Sequence, residues 1–191
     1  MAEPFRVSII TNNVTWSQSL SVYSDVLVMQ ARDGKVLSMM NDGGWGTMVA
    51  QDRASGRFRE ELVITAAQLV KERWKPHPTP TWVTCVPSTK HPDPVADFTR
   101  RLATKLEIPF LDALRKVREN KPQRLMQNRF HQCRNLDGAF KVAGKIRLGP
   151  VLLIDDLVDS SWTMTVAAAL LLKSRSGPVL PLALARVNAA D

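Results

Sequence analysis

Leu148-Gly-Pro-Val-Leu-Leu-Ile-Asp-Asp-Leu-Val-Asp-Ser-Ser-Trp-Thr-Met-Thr165 is the stretch that decides the fold. Gly149 and Pro150 are turn residues that interrupt regular secondary structure, and residues 151–154 after them form an unbroken apolar run. Such a short run between turn residues predicts a strand that is buried on both faces, as in a parallel sheet. Residues 164–173 are helix-like in composition and apolar almost all round, which predicts a buried helix.

The turn between that strand and that helix is predicted to carry the chemistry. Directly after the apolar run come acids and then hydroxyls: Asp155, Asp156 and Asp159, followed by Ser160, Ser161 and Thr163. A strand, a polar turn and a helix make half of a βαβ unit. Its turn is expected at the carboxyl edge of the sheet, where open α/β folds bind ligands.

The residue types in this turn favour one class of ligand. Backbone N–H groups at a helix N-terminus attract phosphate, and nearby hydroxyls add hydrogen bonds. Carboxylates just before them repel a bare phosphate, but they suit sugar hydroxyls or Mg²⁺. A sugar phosphate with a metal satisfies both. The alternative is that Asp159 or Ser160 only caps the helix and that the other acids are solvated.

Residues 151–163 resemble the phosphoribosyl-pyrophosphate (PRPP) signature of type I phosphoribosyltransferases. The resemblance implies that Asp155 and Asp156 are the catalytic acids, which face the ribose hydroxyls and hold Mg²⁺ mainly through the ligand. It also implies a loop around the 5-phosphate, made of Asp159, Ser160, Ser161, Trp162 and Thr163. The family has Thr-Gly where this chain has Ser160-Ser161. Glycine permits a positive φ that serine adopts only at a cost.

The acids at 155–159 also fit the DDxxD diphosphate–magnesium motif of isoprenoid synthases. That motif lies on a helix of a large all-helical protein. Pro150, the β-branched apolar run and the short chain argue against such a setting here.

Composition and length set further bounds. The 191 residues suit one domain that can bury a proper core. No apolar stretch is long enough to span a membrane, no secretory signal begins the chain, and two cysteines match neither a zinc site nor a disulfide scaffold. A reducing cytoplasm is therefore the expected location. The net charge of +8 favours anionic partners, either a polyphosphate or a nucleic acid.

The chain before the motif predicts further elements. Residues 1–41 carry strand candidates at 6–10 and 24–29 and a hairpin turn at Asp33-Gly34, and are interpreted as N-terminal strands or a linker of uncertain role. A domain is predicted over 42–191, beginning in a turn around Trp45. An amphipathic helix is expected over 57–74 and a second one near 94–106.

A second strand–loop–helix layout precedes the first. Residues 82–86 predict another buried strand, and the loop after it carries Ser88, Thr89 and Lys90. The family resemblance implies that this loop binds the pyrophosphate of the substrate. The alternative is an ordinary strand–helix connection with Lys90 in solvent. Further strands are predicted near 108–111, 138–142 and 179–185.

Residues 115–134 are strongly basic, with a single acid among them. The cations proposed for anion contact are Arg115, Lys116, Arg118, Lys121 and Arg124. Three interpretations stay open: a solvated surface loop, a mobile cover over a polyanionic substrate, or a nucleic-acid contact through phosphates. Little aromatic interleaving for base stacking is present, which weakens the third.

This segment carries a more particular resemblance. The pieces 114–118, 122–123, 127–128 and 134–140 resemble the ComF-like branch of the phosphoribosyltransferases, and also the phosphoribosyltransferase-like C-terminal domain of some bacterial RecQ-type DNA helicases. Asp42-Gly43-Gly44-Trp45-Gly46 agrees with that domain as well. No Walker-type loop occurs, so the helicase motor itself is absent.

The sequence as a whole predicts a three-layer α/β domain with a mainly parallel sheet, which binds PRPP or a related sugar phosphate or nucleotide with Mg²⁺. Transfer of the phosphoribosyl group to a nitrogenous base is the expected reaction if the domain is catalytic. The competing hypothesis is an inactive module that senses nucleotides or binds DNA beside a helicase. No membrane contact is expected, and a homodimer stays open.

Overall fold

The computed structural model describes residues 31–40, 42–88, 93–119, 135–136, 138–144, 146–159 and 161–187, and the backbone of 5–7. Seven strands lie in these ranges: β1 Phe5–Val7, β2 Gly34–Met39, β3 Trp82–Cys85, β4 Leu114–Lys116, β5 Phe140–Val142, β6 Val151–Val158 and β7 Val179–Arg186. The helices are α1 Trp45–Ser55, α2 Glu60–Gln68 with a π-helical continuation Leu69–Trp74, α3 Pro94–Leu106 and α4 Trp162–Lys173.

The central sheet is mainly parallel, as the sequence predicts. Its strand order is β1-β2-β7-β6-β3, in which β2, β7, β6 and β3 run parallel and β1 pairs antiparallel with β2. The apolar runs that were predicted as strands near 82–86, 151–154 and 179–185 form β3, β6 and β7. Their first residues are buried on both faces because helices cover both sides of the sheet.

Two hydrophobic clusters make the three layers. On one face, α4 packs on the sheet through residues such as Met164 and Leu171. On the other face, α1, α2 and α3 bury Val49, Leu62 and Phe98 against the sheet. The α/β class with a mainly parallel sheet between helical layers is therefore confirmed.

The N-terminal part of the described chain differs from expectation. Asp33-Gly34 is not a hairpin turn, because Gly34 begins β2, which pairs with β7 in the middle of the main sheet. A Cβ at position 34 would lie 2.7 Å from the carbonyl oxygen of Pro181, so glycine is needed there for close strand contact. Of the candidates at 6–10 and 24–29, residues 5–7 form β1, and residues 8–10 and 24–29 lie outside the described residues.

Two other elements also differ. The strand expected near 108–111 is a single bridge between Val83 and Phe110, since Pro109 has no N–H to continue a ladder. The turn expected around Trp45 passes at once into helix α1, which the sequence did not predict. The helix expected over 57–74 is α2 with its π-helical end, and the one near 94–106 is α3.

The basic segment begins and ends in a small ribbon. Strands β4 and β5 pair antiparallel, with Arg115 opposite Lys141 and Lys116 opposite Phe140. The strand predicted near 138–142 is therefore present as β5. Leu114 and Phe140 are buried in the same cluster as Trp162, so the ribbon packs near the start of α4. Across the ranges that the structure describes, no helix has the length and apolarity needed to cross a membrane.

Candidate ligand site at the carboxyl edge of the sheet

The parallel strands bring three connections to one edge of the sheet. Because β2, β3 and β6 run in the same direction, the segments after them all leave at their carboxyl ends. These segments are the turn into α1, the loop into α3 and the turn into α4. Of the predicted site residues, Ser88, residues 155–159 and residues 161–163 therefore share one edge, which is the usual ligand site of such sheets.

Asp155 and Asp156 lie inside β6 and not in the turn after it. The ladder with β7 continues past them, with Asp155 opposite Ala183 and Val158 opposite Arg186. The expectation that the strand stops at residue 154 is therefore wrong. The carboxyl of Asp156 meets Arg53 of α1, and it also interacts with the carboxyl of Asp155.

Asp155 is the buried member of the pair. It is 8% exposed, and its Oδ1 accepts a hydrogen bond from the Asp156 backbone N–H at 2.9 Å. Burial, together with the neighbouring charge of Asp156, raises the pKa of Asp155 well above its ordinary value. A carboxyl that resists ionisation can donate as well as accept a hydrogen bond, which suits contact with a sugar hydroxyl.

Asp156 is held by a cation that the sequence analysis missed. The Arg53 Nε donates to Asp156 Oδ2 at 2.6 Å, and the side chains are 48% and 16% exposed. Arg53 lies on α1, which follows β2. Neither element was predicted, so no sequence pattern linked residue 53 to residue 156. Recognition of residues 34–39 as a parallel strand would have brought the next helix to this edge.

The start of α4 has the conformation at which the family resemblance expects glycine. Ser161 has φ +61°, a left-handed value, and its side chain makes no capping hydrogen bond. Its carbonyl accepts hydrogen bonds from the N–H and the Oγ1 of Thr165. The N–H groups of the first turn are thus not covered by a side chain of residue 161. Serine takes the positive φ, at the conformational cost expected for a residue with a Cβ.

The other predicted members of this phosphate loop have different surroundings. Asp159 is exposed and Thr163 is half-buried. The indole of Trp162 is fully buried in the core, so only the backbone of Trp162 can face a ligand. Ser160 lies outside the described residues.

The loop after β3 is organised by Asp93. Its Oδ1 accepts hydrogen bonds from the N–H groups of Val95 and Ala96, and its Oδ2 accepts one from the N–H of Ser88 at 3.0 Å. Ser88 is half-buried at this edge of the sheet. Thr89 and Lys90, which were predicted to bind pyrophosphate with it, lie outside the described residues.

The ribbon carries part of the predicted basic surface. Arg115 and Arg118 are exposed, and Lys116 is half-buried. The terminal amino group of Arg118 donates to the carbonyl of Asn135 at 3.1 Å. Lys121 and Arg124 lie outside the described residues.

The described residues make no complete metal site of their own. Within those ranges, no three His, Cys, Asp or Glu side chains come together as potential metal ligands. At this edge of the sheet, Asp155 and Asp156 supply carboxylate oxygens on adjacent residues. That number suits Mg²⁺, which is commonly held by one or two carboxylates together with phosphate oxygens of the substrate.

Comparisons with known proteins give likenesses in fold. No family model matches the chain, and a search of curated proteins finds no relative. The adenine phosphoribosyltransferase of Leishmania tarentolae is 16% identical, over 77% of this chain and 76% of that one, with a TM-score of 0.48. That of Leishmania donovani is 15% identical, over 70% and 71%, with a TM-score of 0.41.

A third similar structure was solved with bound ligands. The adenine phosphoribosyltransferase of Trypanosoma brucei, in complex with AMP, pyrophosphate and ribose 5-phosphate, is 11% identical to this chain. The match covers 96% of this chain and 87% of that one, with a TM-score of 0.43.

Proposed function

We propose that this chain is a phosphoribosyltransferase-like domain that binds PRPP or ribose 5-phosphate together with Mg²⁺ at the carboxyl edge of β6. The observation that carries the proposal is the arrangement of one strand–turn–helix unit. Asp155 and Asp156 stand near the end of β6, and α4 begins a few residues later at Ser161, which has a left-handed backbone and no side-chain cap.

The start of α4 is the proposed site for the 5-phosphate. Its first N–H groups point out of the helix, and the positive end of the helix dipole favours an anion there. The hydroxyls of Ser160, Ser161 and Thr163 and the backbone of Trp162 are proposed to add hydrogen bonds, with Asp159 at the entrance of the loop. The left-handed Ser161 supports this because it lets the chain turn sharply into the helix.

The acids of β6 are the proposed contacts for the ribose. Asp156 accepts a hydrogen bond from Arg53 at Oδ2 and interacts with the Asp155 carboxyl, and its remaining lone pairs are proposed to accept a sugar hydroxyl. Asp155 is proposed to hold a second hydroxyl. Mg²⁺, when bound, would neutralise charge on the pyrophosphate, with Asp155 and Asp156 supplying protein oxygens and the ligand supplying most of the others.

The proposed reaction is displacement at the anomeric carbon of PRPP. A nitrogen of the base forms the new C–N bond as the C–O bond to pyrophosphate breaks, and the electron pair of that bond leaves with pyrophosphate. Such a step depends on positioning more than on a strong base. Ser88, Thr89 and Lys90 are proposed to bind the leaving pyrophosphate. Among phosphoribosyltransferases we propose the ComF-like branch, related to the domain of RecQ-type helicases.

A calorimetric titration with PRPP and Mg²⁺ tests the proposal. We expect saturable binding in roughly the micromolar range, and its loss in Asp155→Asn/Asp156→Asn, because sugar hydroxyls then lose their carboxyl partners. Glu61→Gln/Glu72→Gln is the matched control, since it also removes two acids, both exposed on the outer helical layer. A folded wild-type protein that binds neither PRPP nor ribose 5-phosphate would contradict the proposal.

One observation favours a second candidate, DNA binding by the ribbon. Arg115 and Lys141 lie directly opposite each other on β4 and β5, and both are exposed. Like charges in that arrangement destabilise a ribbon unless an anion neutralises them. DNA affinity should fall steeply with added salt and further in Arg115→Ala/Lys116→Ala, with PRPP affinity kept. An affinity for duplex DNA that is independent of salt would rule this candidate out.

A further inference from the structure

We propose that Arg53 is a further ligand-contacting residue of this site, which binds a phosphate oxygen of the sugar phosphate while its Nε holds Asp156. The inference rests on the proposed function, because the class of ligand comes from there. The inference adds to the proposed site a cation from the β2–α1 unit, a part of the chain for which the sequence predicts no site residue.

The contact between Arg53 and Asp156 uses only part of the guanidinium. Nε donates to Oδ2 at 2.6 Å, and within the described part of the chain the two terminal amino groups of Arg53 have no hydrogen-bond partner. The side chain is 48% exposed, so those groups can meet a ligand from solvent. A planar guanidinium can hold a carboxylate with one N–H and a phosphate with the others.

Asp156 is used only in part as well. Its side chain is 16% exposed, Arg53 contacts Oδ2 alone, and the carboxyl also interacts with that of Asp155. The pair thus offers an acceptor and several donors side by side. A hydroxyl and an anionic oxygen on one small molecule match that set, and a phosphorylated pentose carries both.

The positive charge of Arg53 is a second argument for its contact with the ligand. Asp155, Asp156 and Asp159 put three acids within five residues at the edge where a phosphate must arrive. Within the described ranges, Arg53 is the only cation that forms a salt bridge with any of them. Without it, the carboxylates would oppose an anionic ligand, most strongly when little Mg²⁺ is present.

Helix α1 is fixed at both ends, so Arg53 is presented in a defined position. At its start, the carboxylate of Asp42 accepts hydrogen bonds from the N–H groups of Met39, Gly44 and Gly46. A Cβ on Gly46 would overlap the carbonyl oxygen of Met39, which shows how closely the helix approaches β2. A ligand contact on such an anchored helix is less costly to order than one on a loop.

At the other end of α1, Asp52 makes a contrasting pair with Arg59. Asp52 is 6% exposed and accepts hydrogen bonds from Nε, from a terminal amino group and from the backbone N–H of Arg59. Burial raises the pKa of Asp52, but the hydrogen bonds from Arg59 outweigh this and hold the pKa below its ordinary value. The hydrogen bonds between Asp52 and Arg59 thus stabilise the turn between α1 and α2. Arg53, one residue along, keeps donors to offer.

Binding of ribose 5-phosphate to Arg53→Gln, measured by calorimetry, tests the proposal. We expect affinity to fall about ten- to a hundredfold, the usual loss for a charge-assisted hydrogen bond. Arg57→Gln is the matched control, because Arg57 is exposed, lies four residues further along and makes no side-chain hydrogen bond or ion pair with any described residue. It should bind within about twofold of wild type.

The outcomes separate the two proposals. If wild type binds and Arg53→Gln matches Arg57→Gln, the role of Arg53 is wrong and the proposed function stands. If wild type binds no sugar phosphate, both are wrong. Affinity should also depend more strongly on Mg²⁺ in Arg53→Gln, since the metal then has to supply the missing positive charge. An unchanged Mg²⁺ dependence would overturn the charge argument.

Arg53→Lys keeps the test decisive if Arg53→Gln does not fold. Lysine keeps the charge beside Asp156 but replaces the planar fork with one ammonium group. We expect a loss of affinity between those of the control and Arg53→Gln. Wild-type affinity in this variant would show that the fork makes no contact with the ligand.

Discussion

The chain builds a strand, a connection and a helix three times at this edge, and two of the helices, α3 and α4, begin in opposite ways. After β3, α3 starts at Asp93, whose carboxylate accepts hydrogen bonds from the N–H groups of Val95 and Ala96, and Pro94 has no N–H. After β6, α4 starts at Ser161, whose side chain caps nothing. The N–H groups at the start of α3 are bonded to a carboxylate, whereas those at the start of α4 are available to an anion.

This difference separates two loops that look alike in sequence. A phosphate at the start of α3 would have to displace a carboxylate that is already bound to the same N–H groups. The backbone N–H of Ser88 is taken by Asp93 too. A pyrophosphate contact by the first loop therefore has to come from other groups than these N–H donors. The second loop has the backbone donors for a phosphate and two acids nearby for hydroxyls.

The largest expected effect comes from making the second helix start like the first. Ser161→Asp places a carboxylate at the start of α4, where it would repel the phosphate and compete for the same N–H groups. We expect affinity for ribose 5-phosphate to fall about a hundredfold, or roughly 2.7 kcal/mol. Calorimetry checks this.

Ser161→Asn is the matched variant for that experiment. Asparagine is similar in size and tolerates the left-handed conformation, but it carries no charge. A fall of less than about fivefold is expected. Equal losses in both variants would mean that the shape of residue 161 matters and that its charge does not.

The opposite change removes the carboxylate cap at the start of α3. Asp93→Ala removes the acceptor of three backbone hydrogen bonds, so we expect the free energy of unfolding to fall by about 1–2 kcal/mol. Urea denaturation measures it. Asp93→Asn, which still accepts hydrogen bonds, should lose about half as much or less. If Asp93→Ala is as stable as wild type, the cap contributes nothing to the free energy of unfolding. The two helix starts then differ in geometry but not in stability.

The acid within β6 predicts a dependence on pH. The pKa of Asp155 is raised by folding, so the folded state keeps this proton to higher pH than the unfolded chain does. Its ionisation therefore lowers stability as pH rises above about 4, the unfolded pKa. Asp155→Asn should be more stable than wild type at pH 7, by on the order of 1 kcal/mol.

That gain should disappear towards about pH 3, below the unfolded pKa, where the carboxyl is protonated in both states. Thermal unfolding across this pH range measures it. A constant difference between Asp155→Asn and wild type at every pH would show that the buried charge is not its cause.

The smallest expected effect concerns the left-handed serine itself. Ser161→Gly relieves the strain of φ +61° but makes the unfolded chain more flexible, so we expect a net gain of about 0.5 kcal/mol and unchanged or tighter phosphate binding. Ser174→Gly, at the other end of α4 with φ −87°, is the control and should not be stabilising. A loss of stability in Ser161→Gly would mean that the serine hydroxyl contributes more than the strain costs.

The sequence predicted those parts of the fold whose pattern is local. Buried strands have short apolar runs, so β3, β6 and β7 were predicted from the sequence. Helices α3 and α4 were predicted as well. Strand β2 was missed because it alternates buried and half-buried residues and begins at a glycine that resembled a turn. Helix α1 was missed because its exposed face is broad and its start is rich in glycine.

The sequence by itself determined that a buried strand would bring two acids to the edge of a parallel sheet, next to a helix that begins with hydroxyls. Such a pattern depends only on neighbours along the chain. Only the tertiary structure decided that Asp155 is buried and Asp156 is paired, that Arg53 lies 2.6 Å from a residue far along the chain, and that α3 is capped where α4 is not. Side-chain charge acts through space, and no spacing in the sequence records which distant group will lie opposite.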